Sequence, residues 1–158
     1  MKQIITKFFL FLFLFATVNC GYKVINESER NKFSIQEIKT SGDRRINFKI
    51  KNNLLNYSKK DNPNILIINL SSRKNKNIKE KNIKNEITKY EISLDVVVKF
   101  SLINSDRDYR INLSNSGNYL VADSYSTTLN NEKKLVDDLI ENISEKIQKK
   151  ISSQLNDI

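Results

Sequence analysis

From Tyr90 to Leu102 every second residue is apolar: Tyr90, Ile92, Leu94, Val96, Val98, Phe100 and Leu102. Between them stand Glu91, Ser93, Asp95, Lys99 and Ser101, with Val97 the one apolar exception. Successive side chains point to opposite sides of a strand, so this stretch reads as a strand with one buried and one wet face. At about 3.3 Å per residue it spans roughly 43 Å, where a usual strand has about five or six residues. A strand of that length extends beyond the core it covers, and its apolar face needs a lid.

The end of the chain can supply one. From Asn131 the period changes, and Leu135, Val136, Leu139, Ile140, Ile143, Ile147, Ile151 and Leu155 recur every three or four residues, an apolar helical stripe of about five turns. Asp137, Asp138 and Glu141 lie early in it and Lys146, Lys149 and Lys150 late, which suits the helix dipole. A membrane-surface helix would show a similar stripe; packing on the sheet is preferred because the long strand needs a cover. Between the two, Asn104-Ser105-Asp106 reads as a turn. Tyr109, Ile111 and Leu113, then Tyr119, Val121 and Tyr125, form a returning strand interrupted from Ser114 to Asn118 by a loop or bulge.

Upstream, Phe33, Ile35 and, one residue out of phase, Ile38 suggest a short first strand. Ser41-Gly42-Asp43 breaks it and can cap a helix. Ile46, Ile50, Leu54 and Tyr57 have helical spacing, while Ile46, Phe48 and Ile50 fit a strand as well; helix is the preferred reading. Asp61-Asn62-Pro63-Asn64 is a turn cluster with the only proline, and Ile65 to Leu70 is an apolar run of strand length. The order predicts an α+β fold, a two-layer sandwich in which a mainly antiparallel sheet of about four strands is covered by two helices.

The N-terminus has a separate role. Lys2 and Lys7 flank an eleven-residue run from Phe8 to Val18, apolar but for Thr17. That is the build of a secretory signal and is too short for a bilayer span of about 20 residues. The chain turns polar directly after Cys20, its only cysteine. The arrangement resembles a bacterial lipoprotein signal, in which residues 1–19 are removed and Cys20 is acylated; Asn19 and Thr17 depart from the small residue and leucine of that pattern. An ordinary secreted chain is the other reading, although a free thiol is a hazard in an oxidising compartment. Residues 20–158 then form a single domain.

Charge is uneven. Residues 71–89 hold seven basic and two acidic groups, whereas residues 90–158 hold eight basic and eleven acidic. The basic segment adjoins the strand that is too long for its core, so a protruding hairpin would carry it. Nucleic acid is not the expected partner, because an exported chain meets little of it and the segment lacks aromatic interleaving. The sequence contains no histidine, which removes Ser-His and Cys-His nucleophiles and histidine metal sites. The adjacent acids Asp137-Asp138, and Asp106 with Asp108, read as solvated groups, and neither an enzyme activity nor a cofactor is expected.

Cys20-Gly21-Tyr22, the run from Ile65 to Leu70, the strand entry Tyr90-Glu91-Ile92-Ser93-Leu94 and the exit Tyr125-Ser126-Thr127-Thr128 into the last helix together resemble the LPS-assembly lipoprotein family LptE. The resemblance covers residues 20–158 through order and pattern. It implies a lipoprotein anchored through N-terminal acyl chains at the periplasmic face of the outer membrane. There it would partner and plug the LptD β-barrel and bind lipopolysaccharide in transit to the cell surface. The family's lipopolysaccharide-binding cations lie around the connection of its second and third strands, which points here to Arg73, Lys74, Lys76, Lys79, Lys81 and Lys84. A solvated lysine-rich loop is the plainer account of the same residues, and a periplasmic lipoprotein adaptor without a lipid ligand is the alternative function.

Overall fold

The computed structural model describes residues 33–156. Cys20, the signal segment and the junction at residue 19 lie outside them. The described chain runs β1 (Ser34–Gly42), α1 (Arg44–Tyr57), β2 (Ile65–Lys81), β3 (Ile87–Leu102), β4 (Asp108–Leu120) and α2 (Tyr125–Asn156). The four strands form one sheet in the order β1-β2-β3-β4. Both helices cover the same face, so the fold is the expected two-layer α+β sandwich. The sheet is mixed rather than simply antiparallel: β2-β3 and β3-β4 are antiparallel, but β1 and β2 run parallel. The cause is connectivity, since α1 lies between β1 and β2 and carries the chain back along the sheet before β2 begins.

The long alternation in β3 behaves as its pattern demands. Ile92, Leu94, Val96, Val98 and Phe100 are buried under the helices, while Asp95 and Lys99 are exposed on the opposite face. Leu66, Ile68 and Leu70 of β2 stand beside Leu102, Phe100 and Val98. Against this surface α2 buries Val136, Leu139, Ile140, Ile143, Ile147, Ile151 and Leu155, all from its predicted stripe. No described helix is long and apolar enough to cross a membrane.

Two local features account for the ambiguities of the first half. Ile35 pairs with Leu66 and Ile38 with Ile68, because the register slips at Gln36. A bulge therefore returns Ile38 to the core side, and the phase error in the sequence is the bulge itself. The choice between strand and helix after Asp43 resolves as helix: Asp43 accepts through Oδ1 from the N–H groups of Arg45 (3.0 Å) and Ile46 (3.1 Å), and Ile46, Ile50 and Leu54 are buried while Phe48 is exposed. Gly42 makes the exit from β1 possible. Its φ is +90°, and a Cβ there would stand 2.1 Å from the Ser72 carbonyl oxygen.

Two expectations are corrected. The interruption at Ser114 to Asn118 does not exist: β4 is continuous from Asp108 to Leu120, with Asn115 and Gly117 on the helix side opposite Leu94 and Ile92. Gly117 is there because Leu135 of α2 presses on it, and an added Cβ would fall 2.6 Å from Leu135 Cδ1. Tyr125 does not end the strand but begins α2, so that helix starts six residues before Asn131. Its first turn is held by Ser124, whose Oγ accepts from Thr127 N–H at 3.1 Å.

Candidate functional site

β2 is much longer than its apolar run. It continues through Ser71 to Lys81, and β1 stops at Gly42 opposite Ser72. From Arg73 onward β2 has a neighbour on one side only, β3, so the basic segment is the distal arm of a β2-β3 hairpin. β4 ends at Leu120 opposite Lys89, and the last part of the hairpin runs past every other strand. The connection is tight. Asn85 N–H donates to Asn82 O (2.9 Å), Asn82 N–H to Glu86 O (2.9 Å), and Asn82 Oδ1 accepts from the N–H groups of Lys84 and Glu86. Asn85 takes the positive φ of 63° that this turn needs.

Alternation along β2 sends the predicted site residues in different directions, so the structure does not bring the six together as one cluster. Lys74 and Lys76 lie on the helix side, opposite Leu94 and Ile92. Both reach Glu132 of α2: Lys74 Nζ donates to Oε1 at 3.2 Å and Lys76 Nζ to Oε2 at 2.7 Å. The Tyr119 hydroxyl donates to the same Oε2 at 2.9 Å. The Lys76 ammonium stands 4.3 Å from the Tyr90 ring centroid, and Tyr90 stacks on Tyr119 with centroids 5.6 Å apart. Partial burial works to raise the Glu132 carboxyl, but the hydrogen bonds from Lys76, Tyr119 and Lys74 outweigh it and bring its pKa down to about 2. Burial likewise opposes the charge on Lys76, and its bonds to Glu132 and Tyr119 win, holding the ammonium above its ordinary value. The Tyr119 hydroxyl is raised, first by burial.

Arg73 is on the open face, in register with Asp95, beside a hollow left where β1 ends. Asp95 itself accepts from Ser114 Oγ (2.8 Å) and Asn75 Nδ2 (3.3 Å). Lys79 bridges to Glu91 at 3.0 Å, and Lys81 donates to the Asn85 amide oxygen at 2.9 Å. Lys89, within the basic segment, pairs with Glu80 at 2.5 Å. Among the described residues Arg73, Lys81 and Lys84 bear no ion pair. The hairpin's charge is thus partly spent inside the fold: Glu91 and Glu132 come from outside residues 71–89, and with them the segment's seven basic and two acidic groups become seven and four.

Glu132, Tyr119 and Tyr90 are the members of this region that the sequence did not assign. The pairing of Tyr90 with Tyr119 had a signal, because both sit on apolar phases of adjacent strands. Glu132 had none, being 56 residues from Lys76 and one charge among many on its helix. No group of three described acids, cysteines or histidines is placed to hold a metal.

No family model matches the chain, and neither does any curated protein. Among solved structures the fold is shared with rare lipoprotein B from Shewanella oneidensis, at a TM-score of 0.60 and 14% identity over 78% of this chain and 96% of that one. A lipoprotein from Caulobacter crescentus CB15 has a TM-score of 0.55 and 14% identity, over 75% and 90% of the two chains. Lipoprotein B from Nitrosomonas europaea has a TM-score of 0.54 and 12% identity, over 86% and 93%. At such identities the likeness is one of fold, and it spans nearly the whole of each of those proteins: the described domain has the architecture of these lipoproteins.

Proposed function

We propose that the protein is a lipoprotein of the outer membrane, held at its periplasmic face through acyl chains on Cys20. We further propose that it partners and plugs a β-barrel of the LptD type and binds lipopolysaccharide through its distal hairpin. The observation that carries the reading is the hairpin: a tightly turned, basic arm that runs past the end of β4 and keeps Arg73, Lys81 and Lys84 without an ion pair among the described residues is suited to an anionic partner. The neighbours' lipoprotein names support the anchor, and the resemblance to the LptE family supports the partner and the lipid. The open face of the sheet, rich in Asn112, Ser114, Ser116 and Asn118, suits the polar lumen of a large barrel.

Within the hairpin we assign the lipid to the cations that the fold leaves without an ion pair among the described residues. Lys74 and Lys76 already neutralise Glu132, and Lys79 is paired with Glu91, so Arg73, Lys81 and Lys84 are the ones to face lipid A phosphates, as charge-assisted donors. The test is a tagged full-length chain purified from outer membrane. Mass spectrometry is expected to show loss of residues 1–19, acyl mass on Cys20 and a copurifying β-barrel protein. Arg73→Glu with Lys84→Glu is expected to weaken lipopolysaccharide binding while the barrel still copurifies. A free, unmodified Cys20 or the absence of a barrel would defeat the corresponding half of the reading. A lipoprotein adaptor without a lipid ligand would retain the barrel or another partner and show no lipopolysaccharide binding.

A further inference from the structure

The distal end of the molecule is unusual in what it exposes. Nine large apolar side chains are exposed among the described residues, and six of them, Ile78, Ile83, Leu120, Val121, Tyr125 and Leu129, belong to the end of the hairpin and the elements around it. Single exposed apolar residues are ordinary on any surface; this asymmetry is not. Ile83 is the extreme case, fully exposed at the head of the turn. The turn holding it is no loose tip, since residues 82–86 are cross-bonded through the Asn82 side chain and two backbone bonds. An apolar side chain is thus presented to solvent by a rigid mount at the farthest point of a projecting arm.

Its flanks are basic. Lys81 and Lys84 stand on either side in sequence and have no acid partner among the described residues, and Glu80 and Glu86 are both engaged within the hairpin, by Lys89 and Asn82. An apolar tip ringed by long cationic side chains matches the boundary of an anionic lipid layer: the apolar group enters the acyl edge while the ammonium groups remain at phosphate level. A second copy of the chain is a poor occupant, because two such tips carry the same charge.

We propose that this hairpin tip docks on an anionic lipid surface, with Ile83 entering the acyl boundary and Lys81 and Lys84 at the headgroups. The site needs neither the barrel partner nor a single phosphate pocket. It deepens the lipid half of the functional reading by naming a surface as the ligand.

The chain has no tryptophan, so Ile83→Trp makes the tip its own reporter. The full chain carrying that change is mixed with vesicles of phosphatidylglycerol and phosphatidylcholine, and with vesicles of phosphatidylcholine alone. Docking predicts a blue shift of emission and protection from acrylamide with the anionic vesicles. Both are expected to be lost with neutral vesicles, with high salt, and when Lys81→Glu and Lys84→Glu are added. Because the signal belongs to residue 83, anchoring through another part of the chain does not produce it. An unshifted tryptophan on anionic vesicles overturns the proposal, and so does an equal shift on neutral ones. Lipopolysaccharide binding is measured on the same protein: retained binding with an unshifted tryptophan defeats the docking and leaves the lipid reading standing, and the opposite pair of results does the reverse.

Discussion

The sheet has two halves built from the same strands to different rules. In the proximal half, β2 from Leu66 to Ser72 and β3 from Leu94 to Phe100 bury one face completely under α1 and α2, and stability rests on apolar contact. In the distal half, the same two strands continue with Lys74, Lys76 and Ile78 on the helix side, and the lid is one turn of α2 holding a carboxylate. What covers the sheet there is a charged clamp with two stacked tyrosines. One half makes a domain and the other makes an arm, and changes of similar chemistry should have very different consequences in the two.

The largest contrast is between two isoleucines. Ile143 is fully buried on α2, and Ile143→Asp places an unpaired charge in the core, with an expected loss of several kcal/mol. Ile83→Asp, at the exposed tip, is expected to change stability by less than about 0.5 kcal/mol. Thermal unfolding of both variants checks this, and similar melting temperatures would erase the distinction between halves. Next in size is Gly42→Ala, at the border where β1 leaves the sheet. Both the positive φ and the collision with the Ser72 carbonyl oppose a side chain, and a loss of about 2 kcal/mol is expected in chemical denaturation.

The two halves also differ in how much of them the sequence disclosed. The proximal half was legible because burial writes a period: Tyr90 to Leu102 gave β3, and Leu135 to Leu155 gave the face of α2. Even the misfit of Ile38 was information, although the bulge behind it needed the register to be seen. The distal half was obscure for the same reason inverted. Ser72, Lys74 and Lys76 occupy the inward places of β2 with polar groups, so the strand has no apolar alternation after Leu70. Gly117, required by the approach of Leu135, looked like a break in β4. The six cations were visible as a charge block, but their division into clamp and free groups depends on Glu132, which no local pattern marks.

The clamp offers a pH test of its own. The folded pKa of Glu132 is lowered to about 2, below its ordinary value near 4.5, so its contribution is fully present above about pH 5 and is lost as pH falls toward 2. Lys76 is raised, so its contribution is complete below its ordinary pKa of 10.5 and is lost only as pH rises beyond it. Glu132→Gln is expected to cost about 1 kcal/mol at neutral pH, a modest figure because the lysines are partly exposed to solvent. The gap in melting temperature between wild type and variant should narrow between about pH 5 and pH 2. A constant gap across that range would mean that Glu132 acts through packing alone.

The smallest expected effect on the fold is also the most informative about the arm. Lys84 sits in the turn with an exposed side chain and no ion pair among the described residues, so Lys84→Glu removes no contact that the fold uses. Its effect on stability should lie within about 0.5 kcal/mol. Lys76→Glu makes the same change of charge eight residues away, but it sets two carboxylates side by side at Glu132 and should destabilise measurably. If the arm is a binding device, Lys84→Glu weakens the association with lipopolysaccharide, and added salt removes the difference, since exposed charges are screened over about 10 Å at 0.1 M. Binding isotherms at two salt concentrations, beside unfolding curves for both variants, separate the two lysines. A Lys84 variant that bound as well as wild type at low salt would show the turn to be solvated surface, and the lipid contacts would then fall to Arg73 and the base of the hairpin.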